Sequence, residues 1–274
     1  MKKAIQEELD RKELSSNPND ESGLKNCSAS SMIKLSSNAI MYKIQYKNRD
    51  RWDTAMGITG IIGSAFHKGM EVYYGGVEEM KPKNESQAIE FGLKAAMAYI
   101  EEYEEVFINF SKTIPTKQKA MDTLAFAFNS YVTENKYVPE QILAIEEDID
   151  EVVDIEWQGR NIVLPLKLKG RLDKVMRTDK KLKIHDYKTC HSFSNPDKID
   201  GKKMIQAVEY YFLGYARFGE APYSVIFEEV KTSKNKEGGE QCRRYEIVFA
   251  ENELYFDFFF RFYSDMLRAD KGEM

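Results

Sequence analysis

The chain has 274 residues, 42% of them hydrophobic, enough to bury one sizeable core. No apolar run approaches the roughly 18 residues of a membrane span, and the opening "MKKAIQEELDRKEL" carries charges where a signal peptide needs an apolar centre, so a cytoplasmic protein without membrane contact is expected. The net charge of -5 would argue against a nucleic-acid partner if it were spread evenly.

In chain order, residues 1–26 read as a polar, mobile lead-in or a short docked helix, interrupted by "SSNPNDESG". "SSMIKLSSNAIMYKIQY", Ser30 to about Tyr46, predicts one or two short helices. "GITGIIGSAFHKGMEVYYGG" predicts a helix closed by Gly75-Gly76, with His67 and Glu71 one turn apart. Two longer helical patterns follow, about Ser86 to Phe107 and Lys117 to Glu134, with Pro82 and Pro115 just ahead of them. They read as a helical insertion over about 80–137.

From Gln141 the period changes, and three consecutive strands are predicted: "QILAIEEDIDEVVDIEW", "NIVLPLKLKGRLDKVM" and "KLKIHDYKT". A helix of about Lys198 to Phe218, two strands in "PYSVIFEEVK" and "RRYEIVF", and an aromatic helix from Glu251 to about Arg268 complete the chain. That last helix suits core packing or a partner interface equally.

Charge is concentrated in the middle strands. Between Arg160 and Lys188, ten Lys/Arg stand against three acids, a segment of +7 that leaves -12 for the remainder. A solvated face and a footprint for phosphate both explain it. The three cysteines, Cys27, Cys190 and Cys242, are far apart and read as reduced thiols.

Strand alternation puts Leu164, Leu166, Leu168, Gly170 and Leu172 on one face, and Lys167, Lys169, Arg171 and Asp173 on the other. Asp186 and Lys188 share a face of the next strand. A turn centred between Asp179 and Lys180 sets Asp173 opposite Asp186. Facing carboxylates repel, and a shared hard cation such as Mg²⁺ or Mn²⁺ is the simplest remedy. Ordinary surface acids paired with Lys174, Lys181 or Lys183 explain the same pattern.

"GSAFHKGMEVYY", "GRLDKV", "IHDYKT" and "QAVEYY", in this order, resemble the motifs of the PD-(D/E)XK nuclease superfamily, and within it the RecB-like branch that includes phage recombination exonucleases. The resemblance runs from about Ser30 to Arg268. It implies an α/β fold, a central mixed sheet of about five strands flanked by helices, with 27–274 forming one nuclease domain. It implies metal ligation by His67, Asp173, Asp186 and the backbone carbonyl of Tyr187, catalysis by Lys188 with Asp173 and Asp186, and nucleic-acid contacts by Gln206 and Tyr210. One or two Mg²⁺ or Mn²⁺ ions are the implied cofactors, and double-stranded DNA ends the implied partner, in recombination or repair. A homo-oligomer or a single-strand annealing protein are further partners the resemblance admits.

Some members of that branch carry four cysteines on an iron–sulfur cluster. The three here do not fit that arrangement, so no iron–sulfur cluster is expected. His185 and His191 lack a motif setting and read as structural. Glu146, on the strand ahead of the hairpin, reads as solvent-facing rather than as a further acid of the site. Glu71 reads as a support for His67 or as half of a surface salt bridge.

Overall fold

The computed structural model describes residues 26–42, 55–157, 159–195, 201–235 and 238–271. Nearly all of the lead-in, the end of the segment reaching Tyr46 and the expected helix start at Lys198 lie outside them. Strand β1 (Asn26–Cys27) leads into α1 (Ala29–Ser37) and α2 (Ala39–Tyr42). Ser28 caps α1 in a capping box with Ser31. Then come β2 (Met56–Gly57), α3 (Ile58–Tyr73), α4 (Glu85–Glu101), β3 (Ile108–Asn109) and α5 (Lys117–Glu134). The Asn84 and Thr116 side chains cap α4 and α5, each taking an amide proton of the first turn.

Strands β4 (Ile142–Glu151), β5 (Asp154–Trp157), β6 (Arg160–Val163), β7 (Lys167–Thr178) and β8 (Lys181–Cys190) follow. After them come α6 (Gly201–Phe218), β9 (Ser224–Lys231), β10 (Cys242–Val248) and α7 (Leu254–Asp270).

Six strands form one mixed sheet. β4, β7 and β8 are antiparallel neighbours, β9 runs parallel to β8, β10 closes the edge antiparallel to β9, and β1 joins the start of β7 in parallel. The expected α/β architecture, a mixed sheet flanked by helices, is what the chain adopts. One face packs on α1, α6 and α7, with Leu168, Leu172, Ile184, Phe212, Phe227 and Phe259 in its core. The second face is covered by α3, α4 and α5 through Phe66, Tyr73, Ala96, Phe128 and Tyr187. The stretch read as an insertion therefore supplies the cover of that second face.

Two predicted strands are each broken in two. β4 ends at Glu151, and β5 pairs with β6 in a separate ribbon that turns at Gly159 (φ 70°). Pro165, which has no amide proton to give a ladder, separates β6 from β7. The β7–β8 hairpin, in contrast, has the predicted centre. Lys174 pairs with His185 and Thr178 with Lys181, and Asp179 and Lys180 both take positive φ (51° and 61°), the two-residue turn whose twist matches the strands.

Gly170 of β7 allows α6 to lie against the sheet, because a Cβ there would sit 2.6 Å from the Leu213 side chain. Beside it, buried Glu209 of α6 accepts the Ala29 amide at 2.6 Å and so ties the start of α1 to α6. Burial pushes the Glu209 carboxyl up to about 8, the Ala29 amide opposing weakly. The folded state thus holds a proton that the unfolded chain has released, and stability falls as pH rises from about 4.5 to 8. Glu209→Gln keeps the amide contact and removes the titration. Urea melts of this variant should lose that part of the pH dependence, on the order of 4 kcal/mol between pH 5 and pH 9. Parallel pH profiles for variant and wild type would refute the assignment.

Candidate metal and catalytic site

The β7–β8 ladder stops at the Lys174–His185 rung. Asp173 and Asp186 are the next residue on each strand, so they stand where the two strands part. Instead of another rung, the Tyr187 amide donates to Asp173 Oδ2 at 2.8 Å. The regular alternation expected through Asp173 also slips here. Leu172 and Val175, three apart, sit in the same core, while Lys174 lies among the tyrosines of the opposite face. On β4 the same slip occurs at Glu146, whose φ is 48°: Ile145 packs on one face, and Ala144 and Ile149 on the other. The paired irregularity lifts Glu146 and Asp173 out of both faces and aims them at the gap.

Helix α3 brings His67 to the same gap. Its Nδ1 lies 3.1 Å from Glu146 Oε1 and 3.5 Å from Asp173 Oδ2, and its Nε2 lies 3.2 Å from the Tyr187 carbonyl oxygen. With an oxygen at each ring nitrogen, the imidazolium form donates to both. Burial disfavours that charge, but Asp173, Glu146 and Asp186 outweigh it and raise His67 to about 9. Burial raises the Asp173 carboxyl, with Asp186 and Glu146 adding to the shift and His67 and Lys188 opposing it. Ligand atoms of His67, Glu146 and Asp173 all fall within 4.8 Å of one another, close enough to share one cation.

Across the gap, Lys188 Nζ lies 2.8 Å from each oxygen of Asp186. Oδ1 also accepts from the Tyr210 hydroxyl at 2.7 Å and from Gln206 Nε2 at 3.2 Å, and Gln206 in turn donates to the Tyr210 hydroxyl at 2.7 Å. The other oxygen, Oδ2, is buried and has no geometrically sound hydrogen bond, the Lys188 ammonium approaching it off-axis. An acid oriented through one oxygen, whose other oxygen faces only an off-axis ammonium, can take a cation. Burial works against the Lys188 charge, but Asp186 and Asp173 outweigh it and raise its pKa, so the side chain stays an ammonium.

Every expected site residue is therefore at the gap, although Tyr210 is 4% exposed and engaged with Asp186 rather than turned outward. Glu146 is a correction. It faces His67 with its side chain only 7% exposed, and Arg171 Nη1 stands 3.5 Å behind it. The sequence carries a trace of this: strict alternation would put Glu147 on the face of Ile145 and Ile149, a mixed pattern that a slip at Glu146 resolves. Glu71 pairs with Lys68 at 2.7 Å and not with His67. His185 is buried against Glu228, in line with a structural role.

The +7 segment is not a free phosphate footprint either. Arg171 pairs with Asp148, Lys174 with Glu228, Arg177 with Glu220 and Lys183 with Glu246, all acids from outside the segment. These acids, on β4, β9, β10 and the connection before β9, offset four of its seven net charges.

Among the described residues no helix is long and apolar enough to cross a membrane. No curated protein matches the chain significantly. The solved structure of SSO0001 aligns over 98% of this chain and 88% of its own, at 15% identity and a TM-score of 0.38. The family model described as the PD-(D/E)XK nuclease superfamily matches residues 26–257, a span that contains His67, Glu146, Asp173, Asp186, Lys188, Gln206 and Tyr210. Members of this superfamily are nucleases that use divalent metals, and the chain belongs to it.

Proposed function

We propose that the protein is an exonuclease that hydrolyses phosphodiester bonds at double-stranded DNA ends, of the RecB-like branch and working in phage-type recombination or repair. One observation carries this reading: Asp173, Asp186, Lys188 and His67 converge where β7 and β8 part, with one buried carboxylate oxygen left without a sound hydrogen bond.

The donor set, an imidazole, carboxylates and a peptide carbonyl without any thiol, fits a hard divalent cation. His67, Asp173, Asp186 and the Tyr187 carbonyl would hold Mg²⁺ or Mn²⁺, with Glu146 as an additional acid. Such an ion supplies Lewis acidity toward a phosphodiester oxygen and lowers the pKa of a water.

Lys188 keeps its ammonium beside Asp186 and offers N–H groups to a phosphate oxygen or to the attacking water. Gln206 and Tyr210 hold Asp186 in one orientation, and half-buried Gln206 is the one of the two with surface left for the strand. Arg171 balances Glu146, so the acids at the gap are not all uncompensated.

Digestion of end-labelled linear duplex, closed circular DNA and single strands with and without Mg²⁺ tests the proposal. Loss of linear duplex with survival of circles is expected. Equal cutting of circles would replace an exonuclease with an endonuclease, and no cutting of any substrate in Mg²⁺ or Mn²⁺ would remove the catalytic reading.

A further inference from the structure

We propose that Phe193, Lys231 and Arg243 form a phosphate clamp, a second subsite that grips the polynucleotide strand within a few nucleotides of the bond being cut; it rests on the nuclease reading above. Register places it. Lys188 is the partner of Glu229, and Cys190 the partner of Lys231, across the parallel β8–β9 pair. Lys231 is therefore one strand across and two residues beyond the catalytic lysine, about 8 Å by strand spacing and rise. Partners in a ladder share a face, so Lys231 emerges on the side of the sheet that carries Asp186 and Lys188. Arg243 is paired with Glu229 across β9–β10 and lies on that side as well.

The local chemistry suits a polyanion. The Phe193 ring, just past the end of β8, has the Arg243 guanidinium 4.5 Å and the Lys231 ammonium 5.4 Å from its centroid. Among the described residues neither cation has a carboxylate within ion-pair distance, unlike the paired cations of β7 and β8. Glu229, the ladder partner of Arg243 on this face, is 2% exposed. It is consumed by Lys203 at 2.6 Å and by the Ser194 amide at 2.7 Å. That contact also fixes the residue beside Phe193, so the ring and its two cations are held in place before any ligand arrives. Arg243 is exposed, and a guanidinium lying on a ring still presents its N–H edge to phosphate oxygens. On a chain of net charge -5, a local basic pair of this kind helps to hold a strand leaving the site.

The test compares Lys231→Ala/Arg243→Ala, Phe193→Leu and the control Lys181→Ala. Lys181 sits over the Tyr223 ring at 3.5 Å, a similar cation–aromatic pair at the opposite end of β8. With wild-type cleavage established, the double variant should lower kcat/KM on long linear DNA about ten-fold, mainly through KM, relative to Lys181→Ala. The effect should shrink on a dinucleotide too short to reach the clamp. For a single-stranded oligonucleotide followed by fluorescence anisotropy, the slope of log affinity against log salt should fall by about 1.4, two phosphate contacts' worth. Phe193→Leu should weaken binding about three-fold by loosening both cations.

Unchanged DNA KM and unchanged salt slope in the double variant overturn the clamp, whatever the enzyme's activity. If wild type cleaves nothing, the nuclease reading falls separately and the anisotropy result still decides the clamp.

Discussion

Replacing Lys188 by alanine should lower metal-dependent DNA cleavage about 10³-fold while leaving the fold intact. Lys188 is about one-third exposed, and its charge is spent on Asp186, so truncation removes little packing. What disappears is a cation poised 2.8 Å from Asp186, where under the proposed function a phosphate or attacking water would meet it. Asp186→Asn should be comparably inactive for a different reason, and metal titrations separate the two. Losing the Lys188 ammonium removes a competitor for Asp186, so Mn²⁺ should bind Lys188→Ala at least as tightly as wild type, and Asp186→Asn more weakly. Calorimetry reads the binding, and single-turnover cleavage reads the chemistry. Cleavage by Lys188→Ala within three-fold of wild type would exclude a catalytic role for this side chain.

Glu228→Gln should destabilise the protein by about 3–5 kcal/mol. On the sheet face away from Asp186, Glu228 gathers Lys174 at 3.4 Å, His185 at 2.6 Å, Arg244 at 3.1 Å and the Tyr131 hydroxyl, while Lys174 Nζ also lies 4.9 Å from the centre of the Tyr74 ring and 5.0 Å from that of Tyr187. Burial alone pushes the Glu228 carboxyl up, but Lys174, His185 and Arg244 together hold it below the usual carboxylate range. Burial pushes the Lys174 ammonium down, with Glu228 opposing.

The carboxylate's contribution is thus complete above the unfolded pKa of about 4.3 and is lost as pH falls toward its lower folded value. Neutralising it strands a lysine that is 1% exposed. Adding Lys174→Met to Glu228→Gln should recover much of the loss, because a buried pair costs more to break than to replace. Urea midpoints measure all three proteins. A single-variant penalty under 1 kcal/mol, or no recovery in the double variant, contradicts this account. Since the Tyr187 ring touches this cluster and its carbonyl faces His67, Glu228→Gln should also weaken metal binding.

The sequence made the strand–turn–strand of β7 and β8 legible because the turn chemistry fixes its centre: Asp179-Lys180 brings Asp173 and Asp186 to the first positions beyond the last rung. α5 coincides with its predicted span because its Thr116 cap and apolar period agree. Glu146 was missed for the converse reason. Its placement depends on a left-handed backbone and a matching slip on the neighbouring strand, and neither is a property of one local stretch. The β5–β6 ribbon is hidden in the sequence because the apolar pattern continues across Pro165, although the proline breaks the ladder. The charge of the middle strands left two readings open, since its partners Asp148, Glu220, Glu228 and Glu246 are distant in sequence and adjacent only in the folded chain.

The two-residue connection at Asp179-Lys180 sits at the far tip of the hairpin, five rungs from the chemistry, yet it acts as a ruler for it. Exchanging either side chain leaves the count intact. Inserting or deleting a single residue there would slide β8 by one position against β7, bring His185 or Tyr187 to the place of Asp186, and turn the carboxylate toward the wrong layer of helices. Length polymorphism at this distant tip should therefore be as damaging as loss of an acid at the gap, while exchanges to residues that accept positive φ, such as Asn or Gly, pass almost unnoticed.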